Sequence, residues 1–536
     1  MNADLKEKVV ARVIPLDGIA GLKQNLAADM TSAFTVFLLA LPLSLGIAKA
    51  SEFPPIMGLI SAIIGGILVG PIMGGRLTIK GPAAGLIVIV AGAVNDFGGG
   101  LTGWHLACGA VFVAAALQVL FGIFKFGKYM DFFPLSAIHG MLAAIGIIII
   151  SKQIPILFNI DPALTKGKGP IELLTNIPTW IINFDPRATA IGVVCLAIML
   201  LWSKVKGVLK KVPAPLIVIV VSVIAELSMD FQHTEPTYAL LHIGSLMDNL
   251  NINIDFSGIS KIGIFTKYVV MFALVGSLES LLTVKAIDMM DPYKRKSDTS
   301  KDMIALGIGN MFSSVLGGLP MISEVARSSA NVNNGGKTRW ANAYHGLFIA
   351  IFVIFFAHYI EMIPNTALAA MLIAVGIKLA HPREFLGTYK IGIEQLIIFL
   401  VTIFFTLFED LLIGIGMGIL TKILIHLFRG VPFGDLFRSA VTVEQKDGKY
   451  LVEVGKSAIF TNYLELRNKL EAIPAREHVS INLSLSKVID HSVVENIYHF
   501  KHDYEDDGGR FDIIGLHNHT PVSNHKYAAM RKNKDI

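Results

Sequence analysis

Fourteen apolar runs, each bounded by Gly, Pro or charge, follow one another through the first 430 residues. They lie at roughly 30–50, 55–73, 82–95, 104–124, 134–150, 188–204, 214–229, 266–287, 302–316, 323–334, 342–360, 365–379, 393–408 and 411–428. Several reach the ~20 residues a helix needs to cross a bilayer. In lipid a helix satisfies its backbone polar groups within one segment, so the runs predict a polytopic α-helical membrane protein. Composition agrees: 16% of residues are charged and mean hydropathy is +0.61, whereas soluble domains carry about 25% charge. A disordered, collagen-like or disulfide-built chain is excluded. The two cysteines, Cys108 and Cys195, sit inside apolar runs and offer neither a disulfide framework nor a zinc cage. A net charge of +5 makes no case for nucleic acid.

Charge divides the chain. Of the last 106 residues, 29 are Asp, Glu, Lys or Arg, about 27%, against about 13% of the 430 before them. The expected organisation is a cytoplasmic N-terminal segment over 1–29, a membrane body over 30–430 and a water-soluble domain over 431–536. Residues 1–26 are polar and amphipathic (Lys6, Lys8, Arg12, Lys23), so no cleavable signal peptide is expected. With the N-terminus inside, 20 Lys/Arg of the body and its head fall in cytoplasmic loops and 6 outside. That bias supports fourteen crossings with both ends cytoplasmic.

The third and tenth runs are short, and each follows a Gly/Pro-rich stretch, Arg76–Gly85 and Gly317–Ser323. In two halves of seven they occupy corresponding places: Pro42 precedes Pro82 by 40 positions and Glu279 precedes Pro320 by 41. Matched interrupted segments point to a transporter binding site. Two half-helices meeting there aim their N-terminal N–H groups at one point, which suits an anion. Arg327, about one turn into the tenth run, is a guanidinium inside the bilayer and so a functional candidate; its bland alternative is an ion pair with Glu324. Glu324 itself suits the first turn, with Ser323 as N-cap. Glu279 stands mid-run with Thr283 one turn on, a pairing that can hold Na⁺ or a proton, or a plain helix contact. Lys80, beside Gly81 and Pro82, is expected to reach the cytoplasm or to lend charge to the anion site.

The tail reads as alternating strands and helices: a hairpin of Ala440–Glu444 with Tyr450–Val454 around Asp447-Gly448, helices over 461–473 and 490–505, and strands Val479–Leu485 and Phe511–Leu516. A small layered α/β unit follows. Its seven histidines lack metal-ligand spacing and favour a solvated surface or pH sensing.

Together, Ala40–Ile47, Gly81–Gly85, Phe133–Gly146, Lys152–Pro155, Gly276–Thr283, Asp291–Arg295, Gly317–Pro320 and Arg327–Asn331 make the chain resemble the SulP family of inorganic-anion transporters along nearly its whole length. The tail resembles that family's STAS domain. The resemblance implies a 7+7 inverted repeat of core and gate domains. It places the anion near Leu43, Ser44, Ile47, Gly81, Pro82, Ala83, Ala326 and Arg327. It also implies cation coupling at Glu279 and Thr283, with Na⁺ as a candidate ion there, no other cofactor, and homodimers that touch through STAS.

Three departures stand out. Leu43 and Ile47 replace a polar and an aromatic residue found in many relatives, the STAS stretch reads Asp490-His-Ser-Val493, and the STAS unit is short. Several features resemble a bacterial branch associated with carbonic anhydrases, which tilts the expectation toward bicarbonate, with sulfate the default of the family. The expected function is a bacterial-type inner-membrane secondary transporter of a small oxyanion, coupled to Na⁺ or H⁺, with elevator-like alternating access. A nucleobase permease and an anion channel are the alternatives. No nucleophile–base or metal constellation suggests an enzyme.

Overall fold

The computed structural model describes residues 14–127, 133–207, 212–230, 240–241, 243–244, 246–446 and 448–533. The chain divides into two compact units, residues 1–127 with 148–376, and residues 128–147 with 377–536.

Each apolar run forms one helix. The first unit holds α1 (Gly18–Ala50), α2 (Pro55–Ile72), α3 (Ala84–Asp96), α4 (Gly100–Ile123), the end of α5 (Leu135–Leu157), α6 (Pro186–Leu201), α7 (Ala214–Met229), α8 (Ile262–Met290), α9 (Thr299–Val315), α10 (Val325–Asn333), α11 (Trp340–Glu361) and most of α12 (Asn365–Leu379). Among the described residues, nine helices are long and apolar enough to cross a membrane, and α3, α7 and one other are shorter apolar helices. By that measure α9 and α10 fall short, the first for its polarity and the second for its nine residues.

Helix α1 starts at Gly18, well ahead of the expected position near Met30. Its first turns carry polar residues that are nonetheless buried, because partners distant in sequence cover them. Asp29 accepts from the backbone N–H groups of Lys337 (2.7 Å) and Thr338 (3.1 Å), and the Ser32 hydroxyl donates to Asn331 Oδ1 at 2.7 Å. Of the expected 1–29 segment, residues 1–13 lie outside the described residues.

The two short runs are each preceded by a three-residue strand, β1 (Lys80–Pro82) and β2 (Met321–Ser323). These pair antiparallel, Lys80 opposite Ser323, Gly81 opposite Ile322 and Pro82 opposite Met321. A broken helix inside lipid leaves backbone groups that must find partners within the protein. Here each break satisfies the other, and side chains complete the task. Asn310 on α9 takes the N–H of Met321 at 2.7 Å and returns a bond to its carbonyl at 3.1 Å. The Lys80 N–H goes to Asn342 Oδ1 of α11 (3.1 Å) and the Ile79 N–H to the Ser328 hydroxyl (2.9 Å).

The second unit contains the start of α5, α13 (Ile393–Phe408), α14 (Leu411–Phe428) and the tail. In the tail a four-stranded sheet runs β3 (Val441–Lys446), β4 (Lys449–Val454), β5 (His478–Asn482), β7 (Arg510–Ile514), with β3–β4 antiparallel and the rest parallel. Helices α15 (Tyr463–Glu471) and α16 (His491–Asp506) supply the connections. The hairpin expected around Asp447-Gly448 forms, with Lys446 opposite Lys449; Asp447 lies outside the described residues. A second small sheet, β6 (Val488–Ile489), β9 (Met530–Lys532) and β8 (His519–Pro521), was not foreseen, because two- and three-residue strands carry no readable alternation.

Candidate functional site

The paired strands hold the candidate residues. Beyond β2, Glu324 is the N-cap of α10, accepting the Arg327 backbone N–H at 2.7 Å. This corrects the expectation that Ser323 caps the helix, since Ser323 is committed to the strand pair. An acid at this position also suits the helix dipole. From the first turn of α10 the Arg327 side chain folds back across β1. Its Nη2 donates to the Ser44 hydroxyl of α1 (3.2 Å) and to the Pro82 carbonyl (3.1 Å). The guanidinium is fully buried, 3.9 Å from Glu324 through Nε, and neither Nε nor Nη1 has a hydrogen-bond partner. Two unused donors of a buried cation are capacity for an acceptor, and an oxyanion is one.

Glu279 projects from the middle of α8 toward the start of α3. It is 8% exposed, and its Oε1 lacks a hydrogen-bond partner. A Cβ added to Gly85 would overlap both its carboxylate oxygens, and one added to Gly81 would overlap Arg327 Nη1. The two glycines of Gly81-Pro-Ala-Ala-Gly85 therefore make room for the two buried charges, one each. The sequence displays the motif but not this reason for it.

Lys80 departs from the expectation that it reaches the cytoplasm. It is fully buried, and its Nζ lies 2.5 Å from Asp302 Oδ2 of α9 and 2.5 Å from the Ser323 hydroxyl. Ser280, next to Glu279 on α8, contacts both the N–H and the hydroxyl of Ser323 at 3.1 Å. Reading the sequence missed Asp302, Ser280 and Asn342 as parts of this site. Asp302 carried a signal: it is a carboxylate inside an apolar run. His345 of α11 was also missed; it is fully buried, with neither ring nitrogen hydrogen-bonded.

Of the expected anion residues, the strand pair gathers Ser44, Gly81, Pro82 and Arg327 by direct contact. Leu43, Ile47 and Ala83 are buried nearby in sequence, and Ala326 is half-buried. Thr283 is buried one turn from Glu279 on α8. Among the described residues no group of three or more His, Cys, Asp or Glu gathers as a metal cage.

The sequence profile of the Sulfate permease family matches residues 26–402. Among curated proteins, YvdB of Bacillus subtilis (strain 168), whose name assigns it provisionally to sulfate, is 27% identical over 410 residues, covering 76% of this chain and 74% of that one. The bicarbonate transporter BicA of Picosynechococcus is 24% identical over 403 residues, covering 74% and 69%. Among solved structures, the transmembrane domain of a cyanobacterial BicA superposes with a TM-score of 0.65 at 23% identity, over 73% of this chain and 98% of its own. Murine Solute Carrier 26 family member A9, an anion transporter in the inward-facing state, gives 0.65 at 16% identity over 91% of this chain and 85% of its own. The fold is thus that of a polytopic anion-transporter body followed by a sheet-containing domain compatible with STAS.

Proposed function

Because this chain belongs to the sulfate permease family, we propose that it is a secondary active transporter of a small inorganic oxyanion, bicarbonate or sulfate, driven by Na⁺ or H⁺. The observation that carries the reading is an imbalance of buried charge. Lys80 is matched by Asp302 at 2.5 Å and Arg327 by Glu324 at 3.9 Å, while Glu279 has no cationic side chain within ion-pair distance among the described residues. An uncompensated carboxylate beside the starts of α3 and α10 opposes any incoming anion. A proton or Na⁺ at Glu279, with the Thr283 hydroxyl one turn away, removes that opposition. Each ligand then raises the affinity for the other.

The names of the relatives supply the two candidate anions, and the apolar Leu43 and Ile47 favour the smaller charge of bicarbonate. In this reading the strand pair and its half-helices carry the anion by elevator-type alternating access. The protein acts as a homodimer in the inner membrane, with both ends cytoplasmic. The test is counterflow in proteoliposomes with labelled bicarbonate and sulfate, with and without Na⁺ and proton gradients. Saturable uptake of one anion, concentrated against its gradient by one cation, is the expected result. Uptake that never exceeds equilibrium marks a channel, and uptake of uracil or xanthine with indifference to both anions marks a nucleobase permease.

A further inference from the structure

We propose that Lys80 is a positioning residue that transmits the state of the cation carboxylate to the anion locus, an inference resting on the transport reading above. One ammonium joins three elements, and Ser323 carries the contact on to a fourth. Its Nζ reaches Asp302 Oδ2 of α9 and the Ser323 hydroxyl of β2, each at 2.5 Å, from a position directly opposite Ser323 in the ladder. Asp302 uses its other oxygen to hold the Gly75 N–H at 2.8 Å, in the segment leading into β1. Ser323 in turn is bonded through its N–H and its hydroxyl to Ser280 of α8, the residue after Glu279. The chain of contacts therefore runs from α9 through β1 and β2 to α8. The Glu279 backbone lies at one end, and the Pro82 carbonyl that Arg327 grips lies two residues beyond Lys80.

Holding two strands together does not require this chemistry. A buried ion pair is commonly no better for stability than well-packed apolar residues of similar volume. What the pair adds is a fixed hydrogen-bond geometry that shifts when α8 shifts. When a cation binds Glu279 and α8 settles around it, Ser280 moves Ser323, Ser323 moves the Lys80 ammonium, and β1 presents Pro82 and Arg327 to the anion.

The experiment uses the full-length protein in proteoliposomes. For whichever of bicarbonate and sulfate the wild type takes up, the half-saturation concentration is measured with and without saturating coupling cation. Their ratio is the coupling factor, expected at about 5–150-fold for the wild type. Ser280→Ala cuts the chain while leaving the ion pair intact; Lys80→Met with Asp302→Asn removes both charges together, which avoids a stranded carboxylate. Both variants are expected to unfold cooperatively, Ser280→Ala at a lower temperature because the buried Ser323 N–H loses its acceptor, while the ratio falls toward one whatever the change in transport rate; Lys80→Arg is expected to retain the ratio. A wild-type ratio of one contradicts the coupled-transport reading itself, and with it this role. A wild-type ratio well above one that persists in Ser280→Ala and in the double variant overturns the role of Lys80 alone.

Discussion

Gly85→Ala is the smallest change that separates the two halves of the proposed mechanism. The added Cβ would fall 2.5 Å from the Glu279 carboxyl carbon and closer still to both its oxygens. The clash is with the end of a side chain, so the fold survives by turning Glu279 away, and the position of the carboxylate is what is lost. Forcing a side chain about 30° off its rotamer costs about 0.5–1.5 kcal/mol, and overpacking a buried site costs about 1–3 kcal/mol. Borne by the cation-bound state, 1–3 kcal/mol raises the cation half-saturation concentration by about 5–150-fold. Anion affinity at saturating cation should stay near wild type. Gly81→Ala provides the contrast, because its Cβ meets Arg327 Nη1 and should weaken the anion at every cation concentration. The assay is initial uptake in proteoliposomes across a cation titration, with thermal unfolding as the folding control. A folded Gly85→Ala protein with an unchanged cation titration refutes the placement of Glu279 as the cation group.

Arg327→Ala removes the unpartnered Nε and Nη1 donors assigned to the anion, and hydrogen bonds to a charged group contribute about 1.5–3 kcal/mol. Anion half-saturation should rise at least about tenfold, and unchanged affinity would reduce Arg327 to a structural tie. In the second unit Lys422 is 2.8 Å from Asp490 and 2.9 Å from the Ser492 hydroxyl, with both charges nearly fully buried. Lys422→Met should lower stability by about 3–5 kcal/mol, with most of it recovered in Lys422→Met/Asp490→Leu; equal unfolding temperatures in all three proteins would contradict this. His491 is buried, and burial holds its imidazole below the ordinary range, assisted by Lys422 against the opposing pull of the Tyr527 carbonyl, Glu495 and Asp490. The unfolded chain therefore takes up a proton below about pH 6.5 that the folded tail declines. Tail stability should fall as pH drops through that value, and His491→Asn should flatten the fall. At Asp490 burial acts to raise the carboxyl, but Lys422 and His426 outweigh it and hold it well below the usual range. Its contribution thus persists at neutral pH and disappears only in strong acid.

The fourteen long apolar segments were legible because crossing lipid demands a continuous apolar run, and each became one helix; shorter helices between them, such as Pro382–Ile391, carry no such run. The start of α1 was not, since Asn25 and Asp29 ahead of the run are polar by composition yet buried, Asp29 by bonds to Lys337 and Thr338 some 300 positions away. The matched spacing of Pro82 and Pro320 announced two interrupted segments, whereas the β1–β2 register that joins them is a fact of three dimensions. Lys80 misled for the same reason. A lysine near other basic residues reads as a loop residue until its partner, Asp302, is seen 222 positions on. Glu324 takes the cap expected of Ser323 because a cap and a strand end differ by one residue, within the ordinary uncertainty of a helix boundary.

The most direct test of the central claim is cation-driven accumulation of labelled anion by wild type and Glu279→Gln side by side. Glutamine keeps the size of the side chain and removes the charge that a cation must neutralise. Wild type should concentrate the anion when a cation gradient is imposed, while the variant still exchanges anion in counterflow but stops at equilibrium. Accumulation by Glu279→Gln to the wild-type level, with the same cation dependence, would contradict the account.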